Sequence, residues 1–453
     1  MNAGPAAPAG LPDPPGPRPV LPLARLFAFR RDPPGDLSRM QARWGDVASF
    51  RIGPRWFYLI SDPELVRQVL VTDHRTFTKS LALQRARVLL GDGLLTSEGE
   101  FHLRQRRLAQ PAFHRERVAG MAAAMVRHAE ATADGWRPGM RVDAAREMMR
   151  MTLGIAGETL LGADVGGEAD EIGGALSDAL GLFSRLHNPI GVLLDRLPLP
   201  GTLRMRRARQ RLDDTIYRVI AERRASGEER DDLLGMLLAA RDDEADGAGM
   251  TDLQLRDELL TLFLAGHETT ANALAWTWHL LARNPLAEAR LHDELRTVLA
   301  GRAPTAADYP ALPYTRAVLA ESMRLYPPAW TIGREPVEDW QAGGYRIRAG
   351  SVVLVSPWVV HHDARWWPEP FAFRPERWME GAEAAQPRFA YFPFGGGIRK
   401  CIGEGFAWME LVLTLATLAR RWRLVSIPGV EPVPEPRITL RPIGLEMRVE
   451  GSA

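Results

Sequence analysis

A single cysteine, Cys401, stands in a chain of 453 residues. No intrachain disulfide can form, and nothing in the cysteine content points to an oxidising compartment. Charge of one sign is equally scarce: 57 basic side chains face 56 acidic ones, leaving a formal net charge of +1. That excludes the basic excess by which proteins that coat nucleic acid are recognised. Long hydrophobic runs are missing too. The first 35 residues hold ten prolines, through which neither a secretory signal nor a membrane helix of ~20 apolar residues can be drawn. The best remaining stretch, Leu259 to Leu264 extended to Trp278, contains His267 and Glu268 and has charged flanks. The expectation is a cytoplasmic protein with no membrane span and no nucleic-acid partner.

What is present is the composition of a folded globular protein, 46% hydrophobic and 25% charged. Length alone suggests about three domains of ~150 residues, but the order of the elements argues against that. Val47–Ile60 is rich in branched and aromatic residues and is broken at Gly53-Pro54, a hairpin signal. Gly344–Val355 alternates, then turns at Ala349-Gly350; Arg437–Val449 alternates, turns at Pro442–Gly444 and alternates again. Nearly everything else has helical spacing. No proline lies between Pro200 and Pro285, and Thr251–Asn284 reads as one helix, about 50 Å long at ~1.5 Å per residue. Strand segments at both ends and late in the middle predict a mainly α body with a small β region (α+β). That order favours one body over three consecutive domains.

The strongest local signal is Phe394-Gly395-Gly396-Gly397-Ile398-Arg399-Lys400-Cys401-Ile402-Gly403. Consecutive glycines let a backbone pass close to a flat object without Cβ clashes. Arg399 supplies a fixed cation two residues before the thiol, and a helical stretch, Phe406 to Trp422, follows. Free N–H groups at a helix N-terminus stabilise a thiolate. A thiolate on a glycine-lined surface is what haem iron needs as an axial ligand. A lone cysteine beside a glycine-rich turn is ordinarily just a buried free thiol; the surrounding pattern reverses that reading. The segment resembles the haem-binding loop of the cytochromes P-450 (F-x-x-G-x-R-x-C-x-G) at Phe394, Gly397, Arg399, Cys401 and Gly403.

A second motif lies inside the long helix, at Ala265-Gly266-His267-Glu268-Thr269-Thr270. Glycine there costs ~1 kcal/mol relative to alanine. A threonine hydroxyl four residues on from Ala265 can bond back to its carbonyl and open a local kink. The motif resembles the family's oxygen-activation site, which implies Thr269 as the hydroxyl and Glu268 as the acid supplying protons. Read without the resemblance, Glu268 is a solvated residue, Thr269 a tolerated one, and His267 filler.

Glu321 and Arg324 at i, i+3, with Arg377 downstream, are weak evidence alone. Placed between the two motifs they resemble the family's buried Glu–Arg–Arg network, whose role is structural. Haem propionates need cations, and His102 and Arg106 share a helix face; the resemblance adds Arg334 and Arg399 to that clamp. It also implies haem contacts from Phe394, Gly395 and Gly403. Arg104 and Arg107 are read as facing solvent or a redox partner. The resemblance covers residue 14 to the end, including Pro14-Pro15-Gly16-Pro17, Trp44-Gly45-Asp46-Val47 and His361-His362-Asp363, which implies one catalytic domain over 14–453 behind a flexible tail over 1–13.

For the substrate pocket it implies Phe263, Leu264 and Ala265; Ala329, Trp330 and Ile332; and Ile443 at a C-terminal hairpin tip. Leu81–Leu95 and Leu182–Leu194 would add loops and lid helices, and Arg85 or Arg87 a partner for a fatty-acid carboxylate. The implied protein is a haem b (iron protoporphyrin IX) monooxygenase. It would insert one oxygen atom from O2 into a lipophilic fatty acid, terpenoid, steroid or polyketide-like molecule. No redox module is attached, so electrons would come from a separate ferredoxin or flavodoxin with its NAD(P)H reductase. The alternatives are a peroxide-driven peroxygenase, disfavoured by the intact Glu268-Thr269 pair, and a non-catalytic haem sensor or carrier.

Overall fold

The structure is a computed structural model, which describes residues 10–17, 24–162, 200–227, 230, 232–242, 247–379, 381 and 385–452. The predicted lid segment Leu182–Leu194 lies outside these. In chain order the strands are β1 (Val47–Ile52), β2 (Arg55–Ile60), β3 (Phe77–Lys79), β4 (Arg141–Asp143), β5 (Ile332–Pro336) and β6 (Trp340–Ala342). They continue with β7 (Tyr345–Ile347), β8 (Val352–Val355), β9 (Trp422–Ser426), β10 (Val433–Pro436), β11 (Leu440–Ile443) and β12 (Glu446–Gly451). The chain divides into two compact units, each discontinuous in sequence.

Unit 1 combines residues up to Leu81 with Ala320–Cys401. Its sheet runs β1-β2-β8-β5-β3. The predicted hairpin is present, Val47 opposite Ile60 and Ile52 opposite Arg55, turning at Gly53 with φ +59°. β8 (VVLV) is buried at every position, as a central strand covered on both faces must be. Packed on it are Tyr58, Ile60, Phe77, Trp340 and Ile347. Gly344–Val355 contains the expected strands and turn, but not a hairpin. β7 pairs with β6, whereas β8 pairs in parallel with β2 and antiparallel with β5. Gly350, at φ +68°, therefore links two sheets. The N-terminal prolines are tied down here as well: Ser49 donates through its amide to Pro15 and through Oγ to Pro14. A Cβ on Gly16 would fall 1.7 Å from the Ser49 carbonyl oxygen.

Unit 2 combines Ala82–Leu319 with the chain from Ile402 onward. The long helix spans Asp252–Arg283, and a Thr251/Gln254 capping box starts it. Asn284-Pro285 ends it, since proline cannot continue the hydrogen-bond ladder. This helix is buried on nearly every face, polar side chains included, and packs against helices Ala144–Ala156 and Glu404–Ala419. The C-terminal strands split between two sheets: β12 lies between β4 and β9, and β11 pairs with β10. Hence Ile443 is not at a hairpin tip. It ends β11 opposite Val433, and Gly444, at φ +75°, is the corner between sheets. The true turn of the β10–β11 hairpin is Arg437–Thr439, where the Arg437 amide donates to the Thr439 carbonyl.

Candidate active site

In unit 1 the cysteine loop is folded back on itself. The Cys401 amide donates to the Phe394 carbonyl at 3.0 Å, and Lys400 to that of Gly397 at 3.0 Å. Close approach explains two of the glycines. A Cβ on Gly397 would lie 2.0 Å from the Leu70 carbonyl oxygen, and one on Gly396 2.5 Å from the Phe389 ring. Gly395, at φ +69°, has room, with Ile332 Cδ1 3.6 Å from where its Cβ would be. The loop thus presents Cys401 with its thiol exposed, and Arg399 is half-buried two residues before it. Arg334, on β5, is buried and donates through Nη1 to the Gly333 carbonyl. Trp330 is buried and Ala329 half-buried; the Trp330 carbonyl accepts from Ser356 Oγ at 2.7 Å.

Glu321, Arg324 and Arg377 do meet. The carboxylate of Glu321, fully buried, accepts from Arg324 Nε at 3.0 Å and Nη2 at 2.9 Å. It also accepts from Arg377 Nε, the Arg374 amide and Trp378 Nε1 at 3.0, 3.0 and 2.8 Å. Arg324 donates onward to the carbonyls of His361, Pro370 and Ala372. Burial pushes the Arg377 guanidinium below its ordinary value, helped by the charge of Arg324. His361 extends the cluster toward the loop, its Nε2 accepting from the Phe392 amide at 3.0 Å. Burial, then the charges of His362 and Arg324, holds it far below the usual histidine range, so the ring is neutral. Sequence reasoning assigned His361 no role.

In unit 2 every residue of the long helix from Leu255 to Leu281 is buried except Ala265, Gly266 and Thr269. These form one open window on the helix. Thr269 Oγ1 donates to the Ala265 carbonyl at 2.7 Å, the predicted back-bond. Thr270 does the same to Gly266 at 3.1 Å. Phe263 and Leu264 are 3% and 5% exposed and belong to the apolar core, so Ala265 is the pocket candidate that reaches open surface here. His267 is buried against the Phe263 carbonyl, 2.8 Å from Nδ1, and burial pushes its ring down to the neutral form.

Glu268 is buried, not solvated. Its Oε1 accepts from Arg441 Nε at 2.6 Å and from the Thr439 hydroxyl. Asn272 Nδ2 donates to Thr439 Oγ1 at 3.1 Å, and Trp276 Nε1 to the Leu440 carbonyl at 3.0 Å. Neither Arg441 nor Thr439 was singled out in the sequence. The available signal was Glu268, Asn272 and Trp276 at i, i+4, i+8, hydrogen-bonding side chains on one helix face. A second buried carboxyl, Glu410, is bonded to Thr270, and burial lifts it well above the carboxylate range.

The other predicted positions in unit 2 are ordinary in their local setting. His102 is buried near Ser97 Oγ, with Arg106 half-buried one turn later. Gly403 is the N-cap of helix Glu404–Ala419. Ile443 is half exposed at the end of β11. Arg104 and Arg107 both ion-pair with Asp242, whose side chain is fully buried, and Arg107 is itself exposed to solvent. Arg87 is paired with Asp92 at 3.0 Å. The Leu81–Leu95 segment is pinned to the long helix, because Asp257 accepts from the Asp92 amide and Glu258 from the Leu94 amide. Cβ atoms on Gly91 and Gly93 would clash with Asp257 and Thr261 at 2.1 and 2.3 Å.

The chain matches the cytochrome P-450 family model over residues 14–447. It is 43% identical over 424 residues to cyclooctatin synthase of Streptomyces melanosporofaciens, covering 93% of this chain and 92% of that one. Cyclooctat-9-en-7-ol 5-monooxygenase of the same organism is 40% identical, covering 90% and 88%. Pentalenene oxygenase of Streptomyces avermitilis is 38% identical, covering 95% and 93%. Among the described residues no helix is long and apolar enough to cross a membrane. With an exposed thiol on a glycine loop in one unit and a threonine hydroxyl at a helix window in the other, the chain belongs to the cytochrome P-450 family and is a haem b monooxygenase.

Proposed function

We propose that this monooxygenase hydroxylates or epoxidises a cyclic terpenoid in the cytoplasm, with electrons from a separate ferredoxin or flavodoxin and its NAD(P)H reductase. Haem b, when bound, supplies the activation of O2 and the insertion of one of its atoms into a C–H or C=C bond. The donor chemistry of the chain fits that group. Cys401 is a lone exposed thiol on a loop whose glycines exclude side chains. Arg334 and Arg399 in unit 1 are cations for its propionates, and His102 and Arg106, on one helix face of unit 2, are the family-pattern positions for the same role. Phe394, Gly395 and Gly403 complete the contacts assigned to the loop.

One observation carries the chemistry: the helix window formed by Ala265, Gly266 and Thr269. With its proton committed to the Ala265 carbonyl, Thr269 Oγ1 keeps its lone pairs for a donor from the open side. Glu268, next in sequence, is the acid that restores protons there. General acid–base assistance of this kind contributes roughly 10²–10⁴-fold.

The terpenoid reading draws on two supports. The names of the relatives specify cyclic olefins or their alcohols, namely cyclooctat-9-en-7-ol and pentalenene. The arginines that suited a fatty-acid carboxylate are engaged elsewhere, Arg87 with Asp92 and the Thr96 carbonyl and Arg85 with a partner of its own. The remaining pocket assignments, Phe263, Leu264, Ala265, Ala329, Trp330, Ile332 and Ile443, are apolar, as a site for a hydrocarbon skeleton requires. The experiment is a ligand titration followed by reconstitution with ferredoxin, reductase and NAD(P)H. Cyclic terpene olefins and alcohols should displace the spin-state spectrum and give monooxygenated products. Turnover of fatty acids of equal carbon number, with no response to terpenes, would overturn the assignment.

A further inference from the structure

We propose that Arg441 and Thr439 are positioning residues for Glu268, so that the β10–β11 hairpin sets the geometry of proton supply. This rests on the reading of Glu268 as the acid. Both hydrogen bonds from the hairpin converge on one oxygen, Oε1. No hydrogen bond to Oε2 is present among the described residues, so the carboxyl is gripped at one corner and its other oxygen is uncommitted. A charge-assisted bond from a guanidinium that is only 14% exposed is among the stronger polar contacts a side chain makes. It fixes the carboxyl's orientation without occupying the oxygen that handles the proton. The groups facing Glu268 are the Arg441 cation and, on its own helix, the neutral His267.

The hairpin is itself seated by the same stripe of the long helix. Glu268 holds Thr439 and Arg441, Asn272 holds Thr439 again, and Trp276 holds the backbone at Leu440. All of these except Arg441 are 5% exposed or less. Displacing β11 would therefore move the acid, and releasing the acid would loosen the turn Arg437–Thr439. The proton balance is simple: the ion-paired carboxylate takes a proton from solvent hydronium at Oε2, releasing water, and that O–H bond then breaks as the proton passes to a water on the open side, which restores the carboxylate. Arg441 stays charged throughout.

The test compares Arg441→Met, Arg441→Lys, Thr439→Val and Glu268→Gln in the haem-loaded enzyme with a substrate identified as above. Product formed per NAD(P)H should fall by about 10-fold in Arg441→Met, part of the ~10²–10⁴ range of acid–base assistance, with hydrogen peroxide making up the difference. The solvent deuterium isotope effect on product formation should rise. Arg441→Lys should recover most of the coupling, and Thr439→Val should lie between. Hydrogen–deuterium exchange of amides 433–443, read independently of turnover, should speed up in Arg441→Met and Thr439→Val. In Glu268→Gln it should change little, because the amide carbonyl still accepts. If Arg441→Met stays coupled and protected while Glu268→Gln uncouples, the positioning role is wrong and the acid assignment stands. If Glu268→Gln is itself fully coupled, the acid assignment falls first.

Discussion

Two buried glutamates do opposite work in the two units. Glu321 in unit 1 has both oxygens saturated by Arg324, Arg377, Trp378 and the Arg374 amide. Glu268 in unit 2 carries its two bonds on Oε1, and among the described residues none on Oε2. A carboxylate whose every lone pair is committed to rigid partners cannot rotate or exchange a proton without leaving cations stranded. One held by a single oxygen can do both. The contrast separates a clamp from an acid more sharply than burial does, since both side chains are 3% exposed or less.

The largest effect should come from breaking the clamp. Glu321→Gln leaves Arg324 and Arg377 without their counter-charge in a fully buried site, a loss of about 3–5 kcal/mol. Denaturant unfolding and haem content of the purified protein should both drop. Glu268→Gln should leave the unfolding midpoint close to wild type and act on coupling instead. Thr269→Ala should likewise keep haem while diverting reducing equivalents to hydrogen peroxide, by about 10²-fold in product per peroxide. Equal destabilisation in the Glu321 and Glu268 variants would erase the distinction between the two sites.

Most of this was legible in the residues because period and motif are local properties. The hairpin at Gly53, the helix Thr251–Asn284 and the bond from Thr269 to Ala265 follow from spacing and hydrogen-bond reach. The Glu–Arg–Arg cluster was legible only through the family pattern, since Glu321 and Arg324 at i, i+3 are usually a solvated pair. Strand partners were not legible. β7 and β8 sit on either side of a good turn and yet join different sheets, because β7 pairs back with its neighbour β6 while β8 takes its parallel partner β2 from a distant segment. Arg441 was hidden because its partner Glu268 is 173 residues away, whereas Ile443 moved from the tip of a hairpin to its open end because β11 pairs back with β10. The ion pairs of Arg104 and Arg107 with Asp242, over 130 residues away, were beyond any local rule.

The pH response should sharpen the comparison from the unit 1 side. His361 and His362 are both held below the ordinary value of 6.5, chiefly by burial, His362 at about 4. Between these values the unfolded chain binds protons that the folded chain refuses, so stability falls as pH drops from 6.5 toward about 4. Each histidine contributes up to about 1.4 kcal/mol per pH unit. His361 accepts from Phe392, just before the cysteine loop, so acidification should release haem along with the fold. Unfolding curves across this window check it, and His362→Gln should remove part of the slope. A flat profile would mean that neither ring is neutral for the reason given.

Glu410 supplies the smallest effect and the third term of the comparison. It is fully buried and bonded to Thr270, and its Oε2 has no hydrogen-bond partner among the described residues. Neither a clamp's partners nor Glu268's arginine is there, and burial keeps the acid protonated. A neutral carboxyl resembles an amide, so Glu410→Gln should fold normally and match wild type near pH 4.5. Above that pH the unfolded chain releases a proton that folded wild type retains, which penalises wild type but not the variant. The stability gap should open in favour of glutamine by up to about 1.4 kcal/mol between pH 4.5 and 5.5. A gap opening the other way would place a charge on Glu410 and demand a cation that the buried helix contact does not provide. The same substitution at Glu321 would lose stability at every pH, because there the amide replaces a charge on which two guanidiniums depend.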